Sequence, residues 1–163
     1  MPTNTITAAD STDLLGEGWG DLEQAFESGQ EPDSTELDGV YRGRLISVRG
    51  IDVLPPLLRR VVDILAGTPL LPWRGKRFGA ADVGRRSGSN VWLTMRGPDL
   101  ISFRVSRAER SLVLDYDVPA NPPPLRTILG EVRRLGPGLY LGRMSVRSGQ
   151  RTTPLLWFTL DNA

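Results

Sequence analysis

Alternation of apolar and polar residues dominates the second half of the chain. From Leu100 to Arg107, Ile101, Phe103 and Val105 alternate with Ser102, Arg104 and Ser106, the period of a strand with one buried face. Leu112 to Val118 repeats the pattern, with Leu112, Leu114, Tyr116 and Val118 on one side and Val113, Asp115 and Asp117 on the other. Leu37 to Val48, Val91 to Met95, Leu139 to Val146 and Pro154 to Leu160 read as further strands. Gly39 and Gly43 in the first of these mark a bend or a close backbone approach.

Helical spacing occurs in three places. From Asp13 as N-cap, Leu15, Trp19, Leu22 and Phe26 form a short stripe, weakened by Gly16, Gly18 and Gly20. Pro55-Pro56 opens a stronger segment with Leu54, Leu57, Leu58, Val61, Val62 and Leu65 on one face, closed by Gly67. After Asn121-Pro122-Pro123-Pro124, Leu125, Ile128, Leu129, Val132 and Leu135 predict another helix, ended by Gly136-Pro137-Gly138. A glycine-, arginine- and serine-rich loop is expected from Gly79 to Ser89. Six or seven strands joined mostly by short turns favour a mainly β (α+β) fold. The expected architecture is an antiparallel small β-barrel or strongly curved sheet with two or three packed helices.

Charge divides the chain. Residues 1–36 contain nine acidic residues and no Lys or Arg, leaving 20 basic against 10 acidic residues in 37–163. This suggests an acidic N-terminal arm (1–36), with a short helix and a linker over 28–36, followed by the barrel domain (37–163). The arm can be a lid, a tether or an extra core helix. The arginines are scattered singly or in pairs, with no basic helix face, so no nucleic-acid partner is expected. There is no apolar run of about 20 residues and no secretory leader pattern, so neither membrane insertion nor export is expected and the chain reads as cytoplasmic.

Composition removes most catalytic templates. With no Cys and no His, thiolate chemistry, a Ser-His-Asp triad and the usual zinc or haem sites are excluded. Gly79 to Ser89 lacks the phosphate-loop pattern and leads into no helix. No metal site and no cofactor are expected.

Three segments carry a resemblance. Gly39-Val40-Tyr41-Arg42-Gly43 resembles the G-x-W-x-G element of a bacterial GXWXG-type domain family of unknown function, with Tyr41 in place of its tryptophan. Trp73-Arg74-Gly75-Lys76-Arg77-Phe78 looks like that family's W-x-G-K-x-F segment. Leu114 to Pro119, the expected helix and Leu139 to Met144 are similar to its closing segment. The resemblance implies a lipocalin-like small β-barrel and no settled biochemistry.

A barrel of this size has room for side chains or one small ligand. Tyr41, Trp73, Phe78, Trp92, Phe103 and Trp157 are candidates for an apolar pocket wall, as are Tyr116, Tyr140 and Phe158. Each is equally accounted for as core. Lys76 is the only lysine. Between Trp73 and Phe78 it can orient an anionic ligand, act as a base or imine-forming amine, or lie on the rim with Arg74 and Arg77. Asn90, Tyr116 and Tyr140 are neutral hydrogen-bonding candidates. Asp115 and Asp117 form a carboxylate pair that acid–base chemistry can use or solvent can absorb.

Two functions follow. The first is binding of a small hydrophobic or amphipathic molecule, with Arg74 and Lys76 at its polar end. The second is a cofactor-independent cyclase or isomerase of bacterial secondary metabolism, with Lys76, Tyr116, Asp117 and Tyr140 as catalytic residues. A homodimer is compatible with either. An interaction domain that docks through its acidic arm is a third expectation.

Overall fold

The computed structural model describes residues 11–33, 35–49, 56, 59–60, 72–79, 86–94, 96–97 and 99–162. Eight antiparallel strands close into a barrel in sequence order: β1 (Gly39–Val48), β2 (Trp73–Phe78), β3 (Arg86–Trp92), β4 (Asp99–Ala108), β5 (Ser111–Asp115), β6 (Ile128–Gly136), β7 (Leu139–Ser148) and β8 (Arg151–Asn162). Pairing of β1 with β8 completes the ring, so no strand edge is left as in an open sheet. The expected antiparallel barrel is therefore the fold. Among the described residues no helix is long and apolar enough to cross a membrane.

Strand period 2 fills the interior. Phe103, Leu112, Leu114, Tyr116, Ile128, Val132, Met144, Leu156, Phe158 and Leu160 belong to one continuous inner core. Glycines make room for the largest of these side chains. A Cβ at Gly142 would overlap the Phe158 ring, and one at Gly88 would overlap Phe103. Gly39 adopts φ +81°, accessible to glycine at little cost, and Gly43 lies directly beneath the Trp73 indole. The bend and the close approach expected of these two residues are both present.

The N-terminal arm forms a second, outer core. A 3₁₀ turn (Ser11–Leu14) precedes the helix α1 (Trp19–Ser28), which starts later than the Asp13 cap predicts. Leu14, Leu22, Ala25 and Phe26 pack with Leu139, Leu141 and Trp157 on the outside of β7 and β8. Leu15, expected in the helical stripe, is exposed. Beyond α1 the arm joins the sheet. β5 follows β6 only as far as Val132, and Gln30 takes the vacant edge at Arg134 through bonds of 2.9 and 2.7 Å. Ion pairs of Glu27 with Arg133, Glu31 with Arg107 and Glu36 with Arg134 join the acidic arm to the basic barrel. The helix of the arm thus packs as an extra helix on the outer face of the barrel.

The expected helix over 125–135 is replaced by a 3₁₀ turn (Pro123–Thr127) followed by β6. Ile128, Gly130 and Val132 face inward, while Leu135 packs against the arm and Arg133 is buried beneath it. Burial on both faces hides the alternation, and the apolar positions then mimic helical spacing. β3 also starts at Arg86, inside the expected loop, and Gly88 within it leaves room for the Phe103 ring directly across the ladder. Of the helix expected after Pro55, Pro56, Arg59 and Arg60 are helical and exposed; the rest lies outside the described residues.

Candidate functional site

β2 runs between β1 and β3 and carries Lys76 into the barrel. Its register with β1 is continuous from Gly39–Phe78 to Arg42–Gly75, and a bulge at Arg74 precedes the Trp73–Trp92 pair with β3. The bulge sends Arg74 outward, where its Nε donates to the Leu93 carbonyl. Lys76 points inward and is only 1 % exposed. A rim position for this lysine is therefore corrected: it is among the most deeply buried side chains of the protein.

The ammonium end sits in a defined cluster. Lys76 Nζ is 2.7 Å from Asn90 Oδ1 and 2.6 Å from Tyr116 Oη, and Tyr116 Oη lies 3.3 Å from the same Asn90 oxygen. Asn90 faces Lys76 directly across the β2–β3 ladder, while Tyr116 reaches in from beyond the end of β5. The centroids of Trp73, Phe103, Tyr116 and Phe158 lie 5.1–5.5 Å from Nζ. No carboxylate among the described residues pairs with this lysine. Burial alone brings its pKa down to about 7, so neutral amine and ammonium coexist at neutral pH. Burial raises the Tyr116 phenol in turn and keeps it protonated, with the Asn90 bond a smaller, opposing influence.

Two backbone features hold these groups in place. Opposite the Ser89–Asn90 step, β4 carries an extra residue, Ile101, at φ +64°, a strained conformation for a β-branched residue. Asn121 fixes the other side: its Nδ2 donates to the carbonyls of Ser102 and Tyr116, and its Oδ1 accepts from the Ser102 N–H. Sequence reasoning passed over Asn121. Its signal is an asparagine before a proline run, suited to replacing strand hydrogen bonds just where the strand stops.

Asn90 Nδ2 is buried and has no hydrogen-bond partner among the described residues. Beside it is a void of about 10 Å³ lined by Leu45, Trp73, Lys76, Met144, Leu156 and Phe158, comparable to the space for one water. Leu45 and Trp73 also line an open outer cleft of about 600 Å³, together with Arg42, Arg44, Arg74 and Leu93. That cleft opens where the β1–β2 ladder ends at Arg42–Gly75. The Trp73 indole, half-buried between Gly43 and Phe158, therefore stands between the outer cleft and the lysine.

The remaining candidates divide. Phe103 belongs to the lysine cluster, and Phe78 packs beside it on Phe103 and on Tyr41. Trp92 is buried and donates to the Leu100 carbonyl. Tyr140 lies with Tyr41 at a different cleft, of about 570 Å³, that also includes Glu36 and Arg134. Its phenol is pushed up to about 12 by burial first and then by Tyr41 and Glu36. Asp117 is half-exposed on the outside in an ion pair with Arg126, and Asp115 pairs with Arg147, so the two carboxylates do not face the lysine. Trp157 lies on the outer face beneath α1, in edge contact with Trp19 and Phe26, and is removed from the inner wall. Among the described residues no group of three or more acidic side chains is placed to hold a metal.

No protein-family model and no curated protein sequence matches the chain. A crystal structure of a protein from Thermomonospora curvata is similar, with a TM-score of 0.55 and 18% identity over 93% of this chain and 92% of that chain. At that identity the likeness carries the fold.

Proposed function

We propose that the barrel binds a small hydrophobic or amphipathic molecule whose polar end lies at Lys76 and Asn90. The carrying observation is Lys76 itself: a fully buried amine without a carboxylate partner among the described residues. Packing alone does not call for it, since burial disfavours the charged form, and strongly perturbed groups of this kind concentrate at functional sites. The unpartnered Asn90 amide adds a donor aimed at the same place. The outer cleft supplies the approach, with Leu45, Trp73 and Leu93 for an apolar body and Arg42, Arg44 and Arg74 for a polar or anionic group. Its volume of about 600 Å³ lies within the range of small-molecule sites. For the ligand to reach the lysine, the Trp73 indole must swing aside, because the inner void is far smaller.

Native mass spectrometry of the full chain with octanoic acid and octanol tests this reading. Saturable 1:1 binding, weakened at least tenfold by Trp73→Ala together with Leu45→Ala, is the expected result. Absence of saturable binding to the wild-type chain overturns it.

A second reading is favoured by the 2.6 Å contact of Lys76 with Tyr116. An amine and a phenol in this geometry can hand a proton to and from a bound molecule, as a cofactor-independent cyclase or isomerase requires. In that reading Lys76 and Tyr116 carry the chemistry, without Asp117 or Tyr140. Turnover of a candidate substrate unchanged in Tyr116→Phe rejects it.

A further inference from the structure

We propose that Lys76 is a covalent attachment point, its Nζ condensing with the aldehyde or ketone of a hydrophobic ligand to form a reversible imine. This rests on the ligand-binding reading above and names the chemical class that the site would take.

The geometry supplies each part of the condensation. The amine must present a lone pair, and burial keeps a substantial share of Lys76 neutral near pH 7. A carbonyl oxygen placed in the void beside Nζ meets Asn90 Nδ2, a buried N–H donor with no partner among the described residues. Tyr116 Oη, 2.6 Å from Nζ, is placed to relay protons. The condensation gives a neutral imine, and the four surrounding rings favour a cation at its nitrogen once a further proton is taken up from solvent.

The bonds balance without any oxidant or reductant. The Nζ lone pair attacks the carbonyl carbon, a C–N bond forms, and the carbonyl π electrons move onto oxygen. One nitrogen proton passes through Tyr116 to that oxygen, giving a carbinolamine. Transfer of a second proton through Tyr116 to the hydroxyl breaks the C–O bond, and water leaves as the C=N bond forms. The inner void has room for about one such molecule. Hydrolysis is the same path in reverse, and the scarcity of water around Lys76 slows it.

A single lysine makes the test direct, because the α-amino group is the only other primary amine of the chain. The wild-type protein is incubated with octanal at pH 7, with and without borohydride, and read by intact mass and peptide mapping. The expected result is one reduced octyl adduct on Lys76, formed at least tenfold faster than on the urea-unfolded chain. Tyr116→Phe should slow it at least tenfold. Labelling confined to the α-amino group, with octanol still bound 1:1, overturns the imine and leaves the binding reading standing. Failure of both octanal and octanol to bind overturns both. The wild-type measurement decides the matter even if the Tyr116 variant does not fold.

Discussion

Lys76 and Arg133 are both buried cations, 1 % and 6 % exposed, and their surroundings differ in kind. Arg133 lies between α1 and the barrel, where Nη1 donates to the Phe26 carbonyl at 3.0 Å and Nε to Ser111 Oγ at 2.8 Å. Glu27 lies 3.3 Å from its guanidinium, which also stacks 4.4 Å over the Phe26 ring. Lys76 has two neutral oxygens, four rings and no counter-charge among the described residues. Arg133 is fully employed in holding the arm to the sheet. Lys76 gains no such counter-charge, so its burial costs the fold stability wherever the amine is protonated.

pH dependence should expose that difference most strongly. Lys76 has a folded pKa of about 7 against 10.5 in the unfolded chain. Between these values the unfolded state binds the proton that the folded state has lost, so stability rises with pH. The full difference is worth roughly 5 kcal/mol, of which about 3 kcal/mol is gained by pH 9.5. Tyr116, the titratable group in contact with Nζ, works in the opposite sense. Its phenol, like those of Tyr41 and Tyr140, is raised by burial, so the unfolded state ionises first and stability falls above about pH 10. Urea unfolding of wild type and Lys76→Met between pH 6.5 and 9.5 measures the lysine alone. Lys76→Met should gain a few kcal/mol at pH 6.5 and lose most of the slope; an unchanged slope would mean that Lys76 is charged in the folded protein.

On the arm side the largest effect is expected at Phe26, buried against Trp157 with Arg133 and Arg143 over its ring. Phe26→Ala should destabilise by about 4 kcal/mol, combining lost apolar burial with a cavity under the arm. Increased proteolysis before Leu37 would accompany it. Arg133→Met should cost about 2 kcal/mol, because the Phe26 carbonyl and Ser111 hydroxyl lose their partner while the aliphatic packing remains. Thermal melts at pH 7 then give opposite signs for the two cation-to-methionine changes. Equal destabilisation by both would erase the distinction between Lys76 and Arg133.

Much of this contrast is only partly legible in the sequence. The hairpin half declares itself because β4 and β5 bury one face more than the other, so Phe103 and Leu114 alternate with polar residues. β6 does not, since Val132 points into the barrel while Arg133 and Leu135 lie under the arm, and burial on both sides removes the period. Lys76 stands out as the lone lysine between aromatics, but Arg74 and Arg77 beside it suggest a solvated run. It shares the inward face of Phe78 by strand alternation, while the bulge at Arg74, which leaves no sequence mark, turns Arg74 outward and lets Trp73 join the same cluster. Asn90 and Tyr116 are recognisable as polar candidates. Their meeting at Nζ requires both the β2–β3 register and closure of the ring, which are long-range facts. Trp157 shows the converse: an aromatic that strand alternation turns outward and that is buried there because α1, more than 100 residues earlier, packs over it.

Glu27 gives the finest division within the arm interface. Its carboxylate is 3.3 Å from Arg133 Nη1 but its side chain is 61% exposed, so water screens the pair. Arg133 retains Phe26 and Ser111 when Glu27 becomes Gln, and its desolvation is already offset by those bonds and by the Phe26 ring. Glu27→Gln should therefore cost no more than about 0.5 kcal/mol at low ionic strength, and less than half of that in 0.5 M salt. Denaturant titrations at the two salt concentrations check this. A salt-independent loss above about 2 kcal/mol would mean that the carboxylate, rather than the carbonyl, hydroxyl and ring, is what makes a buried arginine tolerable there.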